Sequence, residues 1–118
     1  MDYKLFDAER RFLNMIWEAE PVNSTELSKL ALSALGWKKS TTYNMIRRLA
    51  ERGFVVNENA TVRSCVTREE VARYESTELI EKSYAGSVPA FLAAYLRDRR
   101  LTPKEAMELK RMIEEAER

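Results

Sequence analysis

The sequence predicts a mainly α-helical protein with one small β-hairpin, in which three helices and the hairpin come first and a second, purely helical region follows. Three observations support this fold class. Apolar residues recur at intervals of three and four along most of the 118 residues. Between residues 54 and 66 this spacing changes to alternation, which is typical of strands. After residue 68 the helical spacing returns and continues to the end of the sequence.

The first helix is predicted within FDAERRFLNMIWEAE, residues 6–20. Asp7 is of a residue type that often caps a helix N-terminus, and Pro21 stops the helix. Helical spacing places an apolar stripe on one face, consisting of Phe12, Met15, Ile16 and Ala19 with Leu13 and Trp17 beside them. We expect this stripe to be buried.

The second helix is predicted from about residue 24 to residue 35, because VNSTEL is a complete helix start signal. Asn23 is the expected N-cap, Glu26 its reciprocal partner, and Val22 against Leu27 a hydrophobic staple. Gly36 can adopt the left-handed conformation that ends a helix. The residues expected to face inward are Leu27, Leu30, Ala31 and Ala34.

The third helix is predicted within WKKSTTYNMIRRLAERGF, residues 37–54, and its two sides differ strongly. The expected buried face is Thr42, Met45, Ile46 and Leu49, which follow the i, i+3, i+4, i+7 pattern. The opposite side is polar and cationic. Residues 37–53 hold five basic side chains and a single acid, Glu51, so positive charge is concentrated there although the net charge of the chain is only +1.

The alternating stretch is expected to form the hairpin. Phe54 and Val56 alternate on one side of a polar turn at residues 57–59, and Val62, Ser64 and Val66 alternate on the other. Three helices followed by a hairpin are the plan of a winged helix-turn-helix, which we assign to residues 1–67.

Residues 68–118 are predicted to form three further helices, of which the last starts at the capping box of Thr102 and Glu105. About 50 residues in short helices bury too little surface to cover their own large apolar side chains. We therefore expect this region to be a dimerisation domain that a second copy completes. The residues predicted to form the homodimer interface are Leu79, Tyr84, Val88, Phe91, Leu92, Tyr95, Leu96, Leu109, Met112 and Ile113.

The charge pattern of the third helix predicts binding to double-stranded DNA. In a winged helix the third helix enters the major groove, where Asn44 can pair with adenine and Arg47 with guanine. Side chains that would hold phosphates surround these two, namely Lys38, Lys39, Ser40, Thr41, Tyr43 and Arg48, and Arg63 is added from the hairpin. An alternative remains open, in which the same surface binds an acidic protein partner and no DNA.

Composition argues against an enzyme, a metal site and a cofactor. The chain has no histidine and a single cysteine, Cys65, so the usual catalytic bases and Cys/His zinc sites are missing. A carboxylate enzyme using Glu69, Glu70 and Glu75 is conceivable, but acids at this density on a helix are usually solvated. Without a membrane-spanning apolar run or a signal-peptide pattern, the expected location is the cytoplasm.

Three segments resemble the BlaI/MecI/CopY penicillinase-repressor family of winged-helix regulators. AERRFLNMIW resembles the family's A-E-x-x-V-M-x-x-x-W helix, and WKKSTTYNMIRRLAERGFV resembles its W-S-x-x-T-x-x-T-L-x-x-R-L-x-x-K-G segment. YAGSVPAFLAAYL is similar to its C-terminal G-G/S stretch. The matching residues are Trp17, Trp37, Thr41, Arg48, Leu49 and Gly53. The resemblance implies a homodimeric transcriptional repressor bound to a palindromic operator, relieved in some members by a regulatory protease.

The sequence also departs from this pattern. Lys38 stands where the family usually has serine, which would move the N-cap of the third helix to Ser40. The pair Tyr43-Asn44 differs from the family's common residues, so the operator of other members does not carry over. Ala94-Tyr95 replaces the family's Asn-Phe cleavage site, and the C-terminal cysteines of its copper-responsive branch are missing.

Overall fold

The computed structural model describes residues 1–118 and confirms a mainly α-helical fold with a small antiparallel sheet, as expected for a winged helix. The elements are α1 (Asp7–Ala19), β1 (Val22–Asn23), α2 (Ser24–Leu35), α3 (Lys39–Glu51), β2 (Val55–Glu58), β3 (Thr61–Ser64), α4 (Arg68–Tyr84), α5 (Val88–Leu96) and α6 (Pro103–Ala116). None of the helices combines the length and the apolar character that crossing a membrane requires.

Helix α1 begins one residue earlier than its predicted cap implies. Phe6 holds the N-cap position and Asp7 is already helical, so the prediction of Asp7 as N-cap was wrong. The Phe6 N–H donates to the carboxylate of Glu9 over 2.9 Å, so a side chain of the first turn provides the hydrogen-bond acceptor for the N–H of the N-cap residue. The predicted apolar stripe supplies the buried face through Phe12, Leu13 and Ile16.

Helix α2 confirms Asn23 as its N-cap and Gly36 as its end, but Glu26 is not the predicted reciprocal partner, because its carboxylate lies 4.0 Å from the Lys29 ammonium and accepts no bond from the Asn23 N–H. The Asn23 side chain accepts from the N–H groups of Thr25 and Glu26 over 2.8 and 3.4 Å, and Gly36 is left-handed with φ 71°. The buried residues are Ser24, Leu27, Ser28 and Ala31, whereas Leu30 and Ala34 are exposed. The prediction that Leu30 and Ala34 face inward was wrong. Ser24 and Ser28 are buried beside Leu27 and Ala31 instead, so the buried face is centred on another side of the helix.

Helix α3 buries the four residues predicted from its spacing, Thr42, Met45, Ile46 and Leu49. Its N-cap is Lys38, in extended conformation and without a side-chain hydrogen bond, so the expected shift of the cap to Ser40 was wrong. Ser40 is the second residue of the helix and therefore already lies inside its first turn. The helix can start before Ser40 because water can satisfy the N–H groups of its first turn without a side-chain cap.

The sheet has three strands in the order β1-β3-β2, with both pairs antiparallel. Strand β1 was not predicted, because two residues carry no alternation, and Val22 pairs with Val62. The turn lies at Asn59 and Ala60, with φ of 51° and 60°, so of the predicted turn residues 57–59 only Asn59 belongs to it. A two-residue turn of this kind lets Asn57 and Glu58 continue the β2 ladder, which explains the difference.

The chain divides into two compact units, Met1–Ser76 and Thr77–Arg118. The first unit contains every buried hydrophobic residue, among them Val71 of α4, and therefore extends past the predicted boundary between residues 67 and 68. The second unit contains α5 and α6 and no buried side chain. Its predicted capping box is present: Thr102 accepts from the Glu105 N–H, and Glu105 accepts from the Thr102 N–H, each over 3.1 Å.

Candidate nucleic-acid interface and apolar groove

The outer face of α3 collects most of the residues predicted to bind DNA. Ser40, Asn44 and Arg47 form a row spaced i, i+4, i+7, and this row lies opposite the buried face. The flanking residues continue the surface on both sides. Exposed side chains belong to Lys38, Lys39, Ser40, Thr41, Asn44, Arg47 and Arg48, whereas Tyr43 is half-buried.

The cations on this face have no carboxylate partners. None of Lys38, Lys39 and Arg48 takes part in an ion pair, and Arg47 contacts only a neutral amide. The first turn of α3 also contains no acid, and no side chain caps it, so its free N–H groups add positive potential at the same end. The first three turns therefore carry positive charge that no carboxylate of the chain neutralises, together with free N–H groups, and both features favour an anion.

Asn44 and Arg47 act as a pair. An Arg47 guanidinium N–H donates to the Asn44 side-chain oxygen over 3.3 Å, one turn along the exposed row. The contact leaves the Asn44 amide NH2 and most of the guanidinium N–H groups free, since arginine has five donors and the amide oxygen a second lone pair. The contact thereby holds the two side chains side by side. Their free N–H groups are donors, and the amide oxygen is an acceptor, of the kinds that pair with the base edges of DNA.

Tyr43 joins α3 to the start of α2. Its hydroxyl donates to the Ser24 hydroxyl over 3.3 Å, and the ring lies 5.9 Å from the Lys39 ammonium. The Ser24 hydroxyl, followed by that of Thr25, lowers the pKa of the Tyr43 phenol below its ordinary value, because both can donate to the phenolate. The contact with Ser24 was missed at the sequence level, since no local pattern links residues 19 positions apart.

Arg63 lies on the central strand, away from the row on α3. Its side chain is exposed and its guanidinium pairs with Glu58 of the neighbouring strand over 3.3 Å. Both partners are more than half exposed, so the pair is weak and the guanidinium can exchange it for another anion.

Arg52 was counted among the cations of the third helix, and the structure gives it a different role. It donates to the carboxylate of Glu9 over 2.8 Å, and its guanidinium lies 4.8 Å from the Phe54 ring centroid. Glu9 is almost fully buried. The basic stretch therefore has four cations available to a ligand and one that holds the fold.

Two of the three carboxylates considered for catalysis, Glu70 and Glu75, are partners of other side chains. Glu75 pairs with Arg10, and Glu70 accepts from the Tyr3 hydroxyl over 3.4 Å. The paired guanidinium has its pKa raised mainly by the hydrogen bond to Glu75. These carboxylates attach α4 to the rest of the first unit.

The second unit exposes a continuous apolar surface. The side chains of Val88, Met112 and Ile113 are each more than half exposed. Together with Phe91, Leu92, Leu96 and Leu109 they line a groove of about 510 Å³, in which Lys110 is the only charged residue. Leu79 and Tyr95 are also exposed, and Tyr84 is half-buried against Phe91 with ring centroids 5.5 Å apart. Monomeric soluble proteins rarely expose a continuous apolar surface of this kind.

Residues 5–115 match the model of a protein family described as Penicillinase repressor. The match covers all six helices except the end of α6, and it includes both the outer face of α3 and the apolar groove. No curated protein matches the chain.

Proposed function

The chain belongs to the penicillinase repressor family, whose members are DNA-binding transcriptional repressors, and on that premise we propose that it is a homodimer that binds a palindromic operator. The observation that carries the proposal is the outer face of α3. Three cations without carboxylate partners, Lys38, Lys39 and Arg48, surround the paired side chains of Asn44 and Arg47 there.

We assign reading of the bases to Asn44 and Arg47. Both lie in the row directly opposite the buried face of α3, where side chains reach deepest into a major groove. Asparagine can donate to and accept from adenine, and arginine can donate twice to guanine. Each such pair discriminates by about 1–3 kcal/mol against the wrong base.

Contacts with the phosphates are assigned to the residues around Asn44 and Arg47. Lys38, Lys39, Ser40 and Thr41 lie in or beside the first turn of α3, next to its free N–H groups, and Arg48 lies on the flank of the row. Arg63 is assigned a phosphate contact from the sheet, which it would make by exchanging Glu58 for a phosphate. Tyr43 both flanks the row and fixes α3 on α2 through Ser24.

Dimerisation is assigned to the second unit. Without any buried side chain of its own, this unit gains a hydrophobic core only if its apolar groove is covered. A second copy of the same groove supplies a matching apolar surface and gives the two-fold symmetry that a palindrome requires. We assign to this interface all the residues predicted from the sequence, although Leu79, Tyr84 and Tyr95 do not line the groove itself.

A regulatory protease is not part of the proposal. The Ala94-Tyr95 bond, which stands at the position of the family's cleavage site, lies within helix α5. A helical peptide bond must unfold locally before it enters a protease active site, so this position is a poor substrate.

Selection of bound duplexes from a random pool tests the proposal. The purified chain should enrich one palindrome with two equal half-sites. The Asn44→Ala, Arg47→Ala double variant keeps the surrounding cations, so it should still retain DNA at low salt but enrich no sequence. If the parent enriches no palindrome, the proposed operator binding is refuted, and enrichment of an asymmetric site would refute the dimer.

A further inference from the structure

The six residues before α1, here called the leading segment, are fixed at the C-terminal end of α3. The Arg52 guanidinium, just past the last helical residue, donates to the backbone carbonyls of Asp2, over 3.4 Å, and of Lys4. Gly53 follows with φ 83°, and a Cβ at that position would come within 3.6 Å of the Met1 side chain. The segment therefore lies directly against the end of the helix assigned to the major groove.

The same segment also contacts α4. The Tyr3 ring lies 5.7 Å from the Tyr74 ring, and the Tyr3 hydroxyl donates to Glu70 over 3.4 Å. The Tyr74 hydroxyl in turn donates to the Asp2 carboxylate over 3.3 Å. Asp2 accepts a second hydrogen bond, of 2.9 Å, from the Lys4 N–H, and these bonds lower the pKa of the Asp2 carboxyl.

Tyr3 is the residue that joins the two sets of contacts. Besides its contacts with α4 it packs edge-on against Phe54, the residue between α3 and β2, with ring centroids 6.3 Å apart. Its side chain is half-buried against the core, although it lies outside every helix and strand. The leading segment is thus an ordered connection between the end of α3 and the first half of α4.

Helix α4 has a special position in the chain, because the boundary between the two compact units falls inside it, after Ser76. Its first half also contacts α1: Arg10 binds Glu75, and the Arg68 guanidinium lies 5.2 Å from the Trp17 ring. These contacts fix α4 to the body of the unit. The leading segment adds a connection to the end of α3 itself.

We propose that Asp2 and Tyr3 are positioning residues for operator binding, which fix the direction of α3 relative to the first half of α4 and so restrict the half-site spacing that the dimer accepts. The inference rests on the proposed function, since spacing has a meaning only for a dimer on two half-sites. Inserting one base pair moves a half-site by about 3.4 Å and rotates it by roughly 35°. A dimer with a firmly held α3 therefore discriminates between spacings.

The test measures binding of the full chain to the palindrome that it selects from random duplexes. Four probes are compared: the selected spacing, one base pair more, one base pair less, and a single half-site. For the parent we expect a changed spacing to weaken binding by about 5–150-fold, the usual range of coupling between sites. In Tyr3→Ala this penalty should fall to about a third or less, while affinity for the single half-site stays within roughly twofold.

Three further variants make the result specific. Asp2→Ala removes the hydrogen bond from the Tyr74 hydroxyl. Because the Asp2 side chain is exposed, this variant should fold and show a relaxed spacing preference even if Tyr3→Ala does not fold. Lys4→Ala keeps the backbone carbonyl that Arg52 binds, so it should retain the parent's preference. Val62→Ala destabilises the sheet but removes none of the hydrogen bonds and ring contacts of Asp2 and Tyr3, so it should also retain the preference.

The outcomes separate the inference from the proposed function. If Tyr3→Ala and Asp2→Ala keep the full spacing penalty of the parent, the inference is wrong. It is also wrong if they weaken binding equally on all four probes, because the leading segment then only stabilises the fold. A parent that selects no palindrome refutes the proposed function itself, and the inference falls with it.

Discussion

Replacing Arg52 by alanine should destabilise the first unit strongly without removing a DNA contact. The Glu9 side chain is only 2% exposed and that of Arg52 27%, and the two atoms that form the ion pair are 2.8 Å apart. Arg52→Ala would leave a carboxylate buried with a single remaining donor, the Phe6 N–H. The variant also lacks two hydrogen bonds to backbone carbonyls and the packing of the guanidinium on Phe54.

Breaking a fully buried ion pair from one side costs about 3–5 kcal/mol. Because Arg52 is about a quarter exposed, we take the lower end, roughly 3 kcal/mol, for the decrease in free energy of unfolding. Small domains are stable by only about 5–15 kcal/mol, so the change should be visible as a large drop in the urea midpoint.

Urea unfolding followed by circular dichroism measures this decrease, and a double-mutant cycle with Glu9→Gln assigns it to the pair. The double variant should be destabilised by less than the sum of the two single variants, since each already breaks the same ion pair. Arg48→Ala is the matched control, because Arg48 is an exposed cation one turn earlier without an ion pair, and its stability should change by no more than about 0.5 kcal/mol. The reasoning is refuted if Arg52→Ala unfolds at the parent's urea midpoint while its DNA affinity falls as it would on removal of a phosphate contact.

Three further predictions concern single positions. Thr42→Val should raise the free energy of unfolding by about 1 kcal/mol in urea denaturation, because the buried Thr42 hydroxyl has no hydrogen-bond partner. A decrease of that size would show that the hydroxyl does have a hydrogen-bond partner. Ala60→Gly should stabilise the chain by roughly 0.5–1 kcal/mol in the same assay, since alanine at φ 60° is strained. Ala50→Gly, inside α3, should instead destabilise it by about 1 kcal/mol. If both variants changed the free energy of unfolding in the same direction, the turn geometry would be contradicted. Ile113→Glu should convert the proposed dimer to monomers in analytical ultracentrifugation, because it places a charge in the apolar groove. Met107→Glu, at an exposed position that does not line that groove, should leave the proposed dimer intact.

Local chemistry explains what the sequence could predict. Asn23 and Thr102 cap their helices through contacts with residues two and three positions away, so the signals lie within one turn. The buried face of α3 follows from spacing alone, because all four predicted residues face the same core. The cations of the same helix could be placed on its outer face for the same reason.

Features that depend on distant residues could not be predicted. Glu9 and Arg52 are 43 positions apart, and only folding brings them together, so a count of charges along the chain could not separate Arg52 from the unpaired cations of the same stretch. Strand β1 exists because β3 lies beside it, and its two residues carry no signal of their own. The turn was predicted two residues too early because Asn57 and Glu58, although polar and uncommon in strands, find ladder partners in β3.

The central claim, that the outer face of α3 reads DNA bases, is tested most directly by salt titrations of three variants on the selected operator and on a random duplex. Asn44→Ala and Arg47→Ala should each weaken operator binding by about 1–3 kcal/mol and change binding to the random duplex far less. Lys39→Ala should weaken both duplexes about equally and lower the salt slope by about 1 for each phosphate that the variant no longer neutralises. If the Asn44 and Arg47 variants bind both duplexes as tightly as the parent, α3 does not read the major groove and the account is contradicted.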